Sequence, residues 1–130
     1  MPPPIRVPPI RVMVVDDTFQ VRNMLTSMLA LDGFEVAGSA ANGREAIATI
    51  DTLDPDVVVI DYRMPGMDGL ETARRVRASR PAQVMILYSA FIDPQLQVAA
   101  EEAGIAVCLA KVEGLAALEH EISRLCATLL

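Results

Sequence analysis

Val57-Val58-Val59-Ile60-Asp61-Tyr62-Arg63-Met64-Pro65-Gly66-Met67-Asp68-Gly69 is the stretch that decides the fold. Its first four residues form an unbroken β-branched run. A strand with one wet face would alternate apolar and polar, so an unbroken run predicts a strand covered by helices on both faces, residues 57–60. The run stops at an acid, and a Pro/Gly-rich turn comes next. The same arrangement recurs along the chain. Residues 10–15 lead into Asp16-Asp17, residues 84–88 into Ser89 and residues 106–110 into Lys111, while residues 34–40 form a further strand.

Helical segments separate these runs. Residues 18–31 carry Val21, Leu25, Met28 and Leu29 on one face and stop at Asp32-Gly33. Asn42 caps a second helix with an inner face of Ala46, Ile47, Ile50 and Leu53, broken by Asp54-Pro55. Residues 70–79 form a third. Asp93-Pro94 supplies the cap and first turn of a fourth, which ends at Gly104. Residues 115–129 form a fifth, with Leu115, Leu118, Ile122, Leu125 and Leu129 at helical spacing. Its further apolar residues, Ala116, Ala117, Cys126, Ala127 and Leu130, lie beyond that stripe and predict a protein-facing surface. Five βα units predict an α/β fold with a doubly wound, five-stranded parallel sheet and right-handed crossovers.

Composition narrows the function classes. The 130 residues suit one domain, and 52% apolar with 4% aromatic and no Trp predicts an aliphatic core. A net charge of −6 argues against non-specific nucleic-acid binding, which needs a basic surface. No apolar run reaches the ~18 residues of a membrane helix, and Met1-Pro2-Pro3-Pro4 lacks the basic start and apolar stretch of a signal peptide. Cys108 and Cys126 form no CxxC or Cys/His set, so they are expected as free thiols in a reducing, cytoplasmic setting. Pro-Pro-Ile-Arg-Val occurs at 3–7 and again at 8–12. Residues 1–9 are therefore expected as a Pro-rich N-terminal tail, a small duplication, with the domain at 10–130.

In doubly wound sheets, ligands sit beyond the carboxyl ends of the strands, where Asp16, Asp17, Asp61, Ser89 and Lys111 fall. Lys111 is the only lysine in a chain with ten arginines. Three convergent carboxylates repel unless a cation joins them, and Mg²⁺ prefers a few carboxylates plus waters and phosphate oxygens. An acid that shares such an ion can attack phosphorus to give an aspartyl phosphate. The transferring group has three oxygens to compensate, one each for Mg²⁺, Lys111 and Ser89. Singly, each piece is ordinary: an acid pair at a turn, a serine after a strand, a surface lysine. Arg74, Arg75 and Arg77 read as a solvated face shared with Glu71. His120, between Glu119 and Glu121, reads as solvated too.

Taken together, these residues resemble the receiver domain of two-component response regulators over roughly residues 10–130. Val14-Val15-Asp16-Asp17, with Arg22 five positions beyond, resembles the family's acidic pair. Asp61-Tyr62-Arg63-Met64-Pro65-Gly66-Met67-Asp68-Gly69-Leu70-Glu71 resembles its most specific segment. The resemblance implies a flavodoxin-like strand order 2-1-3-4-5 and Asp61 as phosphoacceptor. It implies Mg²⁺ held by Asp16, Asp17, Asp61 and the Arg63 backbone carbonyl, with Ser89 as switch hydroxyl and Lys111 on the phosphate. Partners so implied are a histidine kinase or phosphotransfer protein, and a homodimer or protein target through helix 4, strand 5 and helix 5.

Two positions depart from the family pattern. Val112 stands where proline usually follows the lysine, which predicts a trans bond and a shifted loop. Cys108 stands where the family often has Tyr or Phe, so the usual aromatic switch is missing; Tyr88 and Phe91 are the candidates to replace it. Arg63 and Phe91, each two residues past Asp61 and Ser89, are bulky and predict slow self-dephosphorylation. Competing classes are a phosphoryl sink or relay without conformational output, an Mg²⁺-dependent aspartyl-phosphate phosphohydrolase and a flavin carrier. The hydrolase favours Asp-x-Asp after strand 1, and the flavin carrier a Ser/Thr/Gly-rich phosphate loop there. Asp16-Asp17-Thr18-Phe19-Gln20 provides neither.

Overall fold

A computed structural model describes residues 8–127. The first copy of the repeat, Leu129 and Leu130 lie outside the described residues. The elements alternate as β1 (Arg11–Val15), α1 (Phe19–Leu31), β2 (Glu35–Ala40), α2 (Gly43–Leu53), β3 (Val57–Ile60), α3 (Gly69–Ser79), β4 (Val84–Ser89), α4 (Pro94–Glu102), β5 (Val107–Ala110) and α5 (Leu115–Leu125). A single 3-10 turn, Lys111–Glu113, joins the last two. The strands are all parallel in the order β2-β1-β3-β4-β5, the flavodoxin-like arrangement.

Residues on a strand point alternately to opposite faces, so each interior strand feeds two cores. On one face Val12, Val14, Val57, Val59 and Ile86 meet Leu25 and Leu29 of α1 and Leu118 and Ile122 of α5. On the other, Met13, Val58, Ile60, Met85 and Leu87 meet residues of α2, α3 and α4, including Ile50, Val76 and Ala100. All four residues of β3 are buried, as its unbroken apolar run requires. Helix starts follow local chemistry. The side chains of Asn42, Asp68 and Asp93 accept from the N–H groups of Glu45, Glu71 and Leu96 at 2.8, 2.9 and 2.7 Å. Glu71 pairs with Arg74 and Arg75 at 3.0 and 3.1 Å, an exposed ladder on α3 as expected.

Two expectations need correction. Met28 does not join the inner face of α1; it is 39% exposed, with Met24 and Leu31 also outward. The contact stripe of α1 is narrow, Leu25 and Leu29 with Val21 partly buried against it, and Met28 lies at its margin. Cys126 does not lie beyond the α5 core stripe. Leu118, Ile122 and Cys126 follow an i, i+4, i+8 row, and all three are fully buried in the core. The apolar excess left on the described part of α5 is confined to alanines, and the exposed large side chains cluster on α1 instead.

Candidate functional site

Register sets the level of each site residue. Val15 pairs with Ile60 and Ile60 with Leu87, so Asp16 and Asp61 leave the sheet side by side. Ser89 pairs with Ala110, which puts Ser89 one step higher and Lys111 one step beyond that. The backbone ties this edge together: the Asp61 N–H donates to the Val15 carbonyl at 2.9 Å and the Asp16 N–H to the Ala40 carbonyl at 3.1 Å.

Asp16 is the best-anchored side chain. It is 2% exposed, and its Oδ1 accepts from the Thr18 N–H at 2.9 Å. Its Oδ2 accepts from Lys111 Nζ at 2.9 Å, and the same ammonium lies 3.6 Å from Asp61 Oδ2. Its carbonyl accepts from Arg22 Nη1 at 2.6 Å, and the Arg22 guanidinium sits 5.7 Å above the centre of the Phe19 ring. Asp17 is exposed at the mouth. Carboxylate oxygens of Asp16, Asp17 and Asp61 all lie within 4.8 Å of one another. Ser89 is buried at the end of β4.

Electrostatics follow from this crowding. Burial pushes the Asp61 carboxyl above its ordinary range; Lys111 pulls it back, while Asp16 and Asp17 add to the rise. Burial alone would lower the Lys111 ammonium, but its hydrogen bond to Asp16 and the charges of Asp61 and Asp16 outweigh that, and it is raised. At neutral pH the lysine is a cation paired with Asp16 and Asp61. The donor set is hard oxygen only, which suits Mg²⁺ or another hard divalent ion rather than zinc.

The structure thus brings Asp16, Asp17, Asp61 and Lys111 into contact range and Ser89 to the same edge. Arg63 behaves differently: its side chain is exposed, and among the described residues its carbonyl accepts no hydrogen bond. Arg63 and Phe91 line one cleft of about 350 Å³ with Tyr62, Asp93, Leu96 and Ala99. Tyr88 is 5% exposed and packed in the α1/α5 core, so its ring is already inside. Phe91 is 67% exposed and Cys108 half-buried. His120 is exposed, as expected.

Three residues carry local roles that sequence reasoning missed. Gly69 begins α3 against the acceptor strand, and a Cβ there would overlap the Asp61 carbonyl oxygen. Arg22 clamps the Asp16 carbonyl. Glu113 turns back to accept from the Ala110 N–H at 2.9 Å. Gly69 stood within the specific segment, but its packing reason is tertiary. The acid three places after Ala110 makes only the returning half of a capping box, and with alanine at the cap position the sequence signature of that box is missing.

Comparisons with known proteins agree with this geometry. A family model described as "Response regulator receiver domain" matches residues 12–123. The chain is 37% identical over 94 residues to a chemotaxis protein CheY of Thermotoga maritima, covering 72% of this chain and 78% of that one. It is 40% identical over 88 residues to a protein-glutamate methylesterase/protein-glutamine glutaminase of Nocardioides sp., covering 67% of this chain. It spans about a quarter of that relative's length, 24%. Among solved structures, a LuxR-family two-component response regulator from an Aurantimonas species superposes with a TM-score of 0.88 at 28% identity, covering 92% of this chain and 86% of that one.

Proposed function

Because this chain belongs to the response regulator receiver domain family, we propose that Asp61 takes a phosphoryl group from the phosphohistidine of a histidine kinase or phosphotransfer protein. The aspartyl phosphate is then read by protein–protein contact in the cytoplasm. The observation that carries this is the Lys111 ammonium held between Asp16 and Asp61 at 2.9 and 3.6 Å. The ionised Asp61 carboxylate attacks phosphorus, the P–N bond to the imidazole breaks, and the imidazole leaves with the electron pair. Lys111 compensates one phosphoryl oxygen and the Ser89 hydroxyl donates to another. Asp16, Asp17, Asp61 and the Arg63 carbonyl would hold Mg²⁺, which when bound supplies charge neutralisation at the transferring group. Asp16, its carboxylate aligned by the Thr18 N–H and its carbonyl by Arg22, would be the most rigid of these ligands.

A second reading is supported by a specific observation. Cys108 has no ring and Tyr88 is already buried, so a phosphoryl sink or relay station without conformational output also fits.

The test is phosphorylation with acetyl phosphate and Mg²⁺, followed by mass spectrometry. The wild type is expected to gain one phosphoryl group on Asp61, and Asp61→Asn to gain none. Phosphate on Asp16 instead would overturn the proposal in favour of a hydrolase. Beryllofluoride, a phosphoryl mimic, separates output from sink. Amide shifts spreading over α4, β5 and α5 indicate an output; shifts confined to the strand ends indicate a sink.

A further inference from the structure

β5 is an edge strand, so Lys111 leaves the sheet with strand neighbours on one side only. The chain then enters a three-residue 3-10 turn whose middle residue, Val112, is 89% exposed. Apolar packing therefore does not hold the turn. Two polar ties do. The Glu113 carboxylate accepts from the Ala110 N–H at 2.9 Å, immediately before Lys111. The Lys111 carbonyl accepts from the Gly114 N–H at 3.1 Å, and Gly114 takes the positive φ of 91° that lets the chain enter α5. Only the first tie is made by a side chain.

We infer that Glu113 is a positioning residue for Lys111: by gripping the Ala110 amide it fixes the turn from which the ammonium reaches Asp16 and Asp61. A lysine side chain has four rotatable bonds and strong hydration, so its placement depends on where its backbone starts. Glu113 itself is exposed and touches neither carboxylate through any described hydrogen bond or ion pair. The inference rests on the proposed role of Lys111 at the phosphoryl group, but its first test does not.

Lys111 is the only lysine of the chain. Lysine labelled with ¹³C at its ε carbon therefore gives a single, unambiguous signal. In the metal-free wild type the two ε-methylene protons of a held side chain are expected to be inequivalent. In Glu113→Ala they are expected to merge, and in Glu113→Gln, which keeps an acceptor, to stay distinct. Beryllofluoride titrated at saturating Mg²⁺ is then expected to bind Glu113→Ala about fivefold more weakly, the size of one ordinary net hydrogen bond. Mg²⁺ alone should bind no more weakly, because a loosened Lys111 competes less for Asp16. An unchanged ε-methylene signal in Glu113→Ala would overturn the inference. So would a Glu113→Gln variant as loose as Glu113→Ala. A wild type that fails to bind beryllofluoride would instead overturn the role of Lys111, with the methylene comparison still readable.

Discussion

The acids and the base of this site reach it by different means. Asp16 and Asp61 extend from interior strands. Residues 12–15 and 57–60 are all buried, and ladder hydrogen bonds carry the register up to the carboxylates themselves. Lys111 extends from an edge strand with one buried residue in four, Leu109, and is held by a local turn. The acid half is thus placed by the whole sheet, and the base half by a few residues. Cys108 and Val112, the two positions read from the sequence as departures from the family pattern, both lie in this locally held half.

The most forceful way to break this contrast is a pair of substitutions across one register. Leu87 and Cys108 are paired neighbours on β4 and β5, Leu87 fully buried and Cys108 half-buried. Leu87→Ala is expected to cost about 3 kcal/mol, the transfer and cavity terms of a closed interior site. Cys108→Ala is expected to cost less than about 1 kcal/mol, because the smaller group is only partly removed from water. Urea unfolding with an unchanged slope measures both. Equal losses would show that the edge is as tightly integrated as the interior.

The mouth gives a smaller, kinetic effect. Arg63 and Phe91 lie just past the two strand ends and line the same cleft. The paired variant Arg63→Ala, Phe91→Ala is expected to shorten the half-life of the aspartyl phosphate about threefold, worth less than ~1 kcal/mol of barrier. Release of inorganic phosphate from the phosphorylated protein reads this directly. A half-life that stays the same or lengthens would mean that neither side chain shields the group.

Legibility in the sequence tracks the same division. The five parallel strands and the convergence of the site residues at one edge followed from unbroken apolar runs ending in chemistry-bearing residues, because the periodicity of a covered strand is written locally; the order 2-1-3-4-5 came only from the family resemblance. Asn42 and Asp93 were legible as caps for the same reason. Met28 was not, since helical spacing marks a broad face and only the width of the sheet decides which margin stays dry. Cys126 looked like surplus apolarity because its row, Leu118 and Ile122 four residues apart, competes with a second leucine row on α5. The Arg22 grip on Asp16 and the Gly69 approach to Asp61 are tertiary, and no local pattern announces them.

The smallest expected effect lies on α5, the helix that comes after the loosely held strand. Glu119 meets Asp32 at the C-terminus of α1, where helix carbonyls already disfavour negative charge. Burial first, then the hydrogen bond to Asp32 and its charge, push the Glu119 carboxyl up to about 7. Its Oε2 is buried and accepts no hydrogen bond from any donor among the described residues, so only a proton shared with Asp32 can pair the two acids. The folded pKa lies above the ordinary value of 4.5, so the folded protein binds the extra proton. The favourable contribution is therefore complete below the unfolded pKa and is lost as pH rises through the folded one. Glu119→Gln keeps the shape and a donor toward Asp32 but cannot ionise. At about pH 8 it is expected to be more stable than the wild type by ~0.5 kcal/mol, a figure kept small because solvent screens a partly exposed pair. At about pH 5 the two are expected to match. Parallel stability curves across that range would show that α5 carries no titrating link to α1. Converging curves would place a buried, shared proton on the peripheral layer, whereas residues 12–15 and 57–60 behind it carry only apolar side chains.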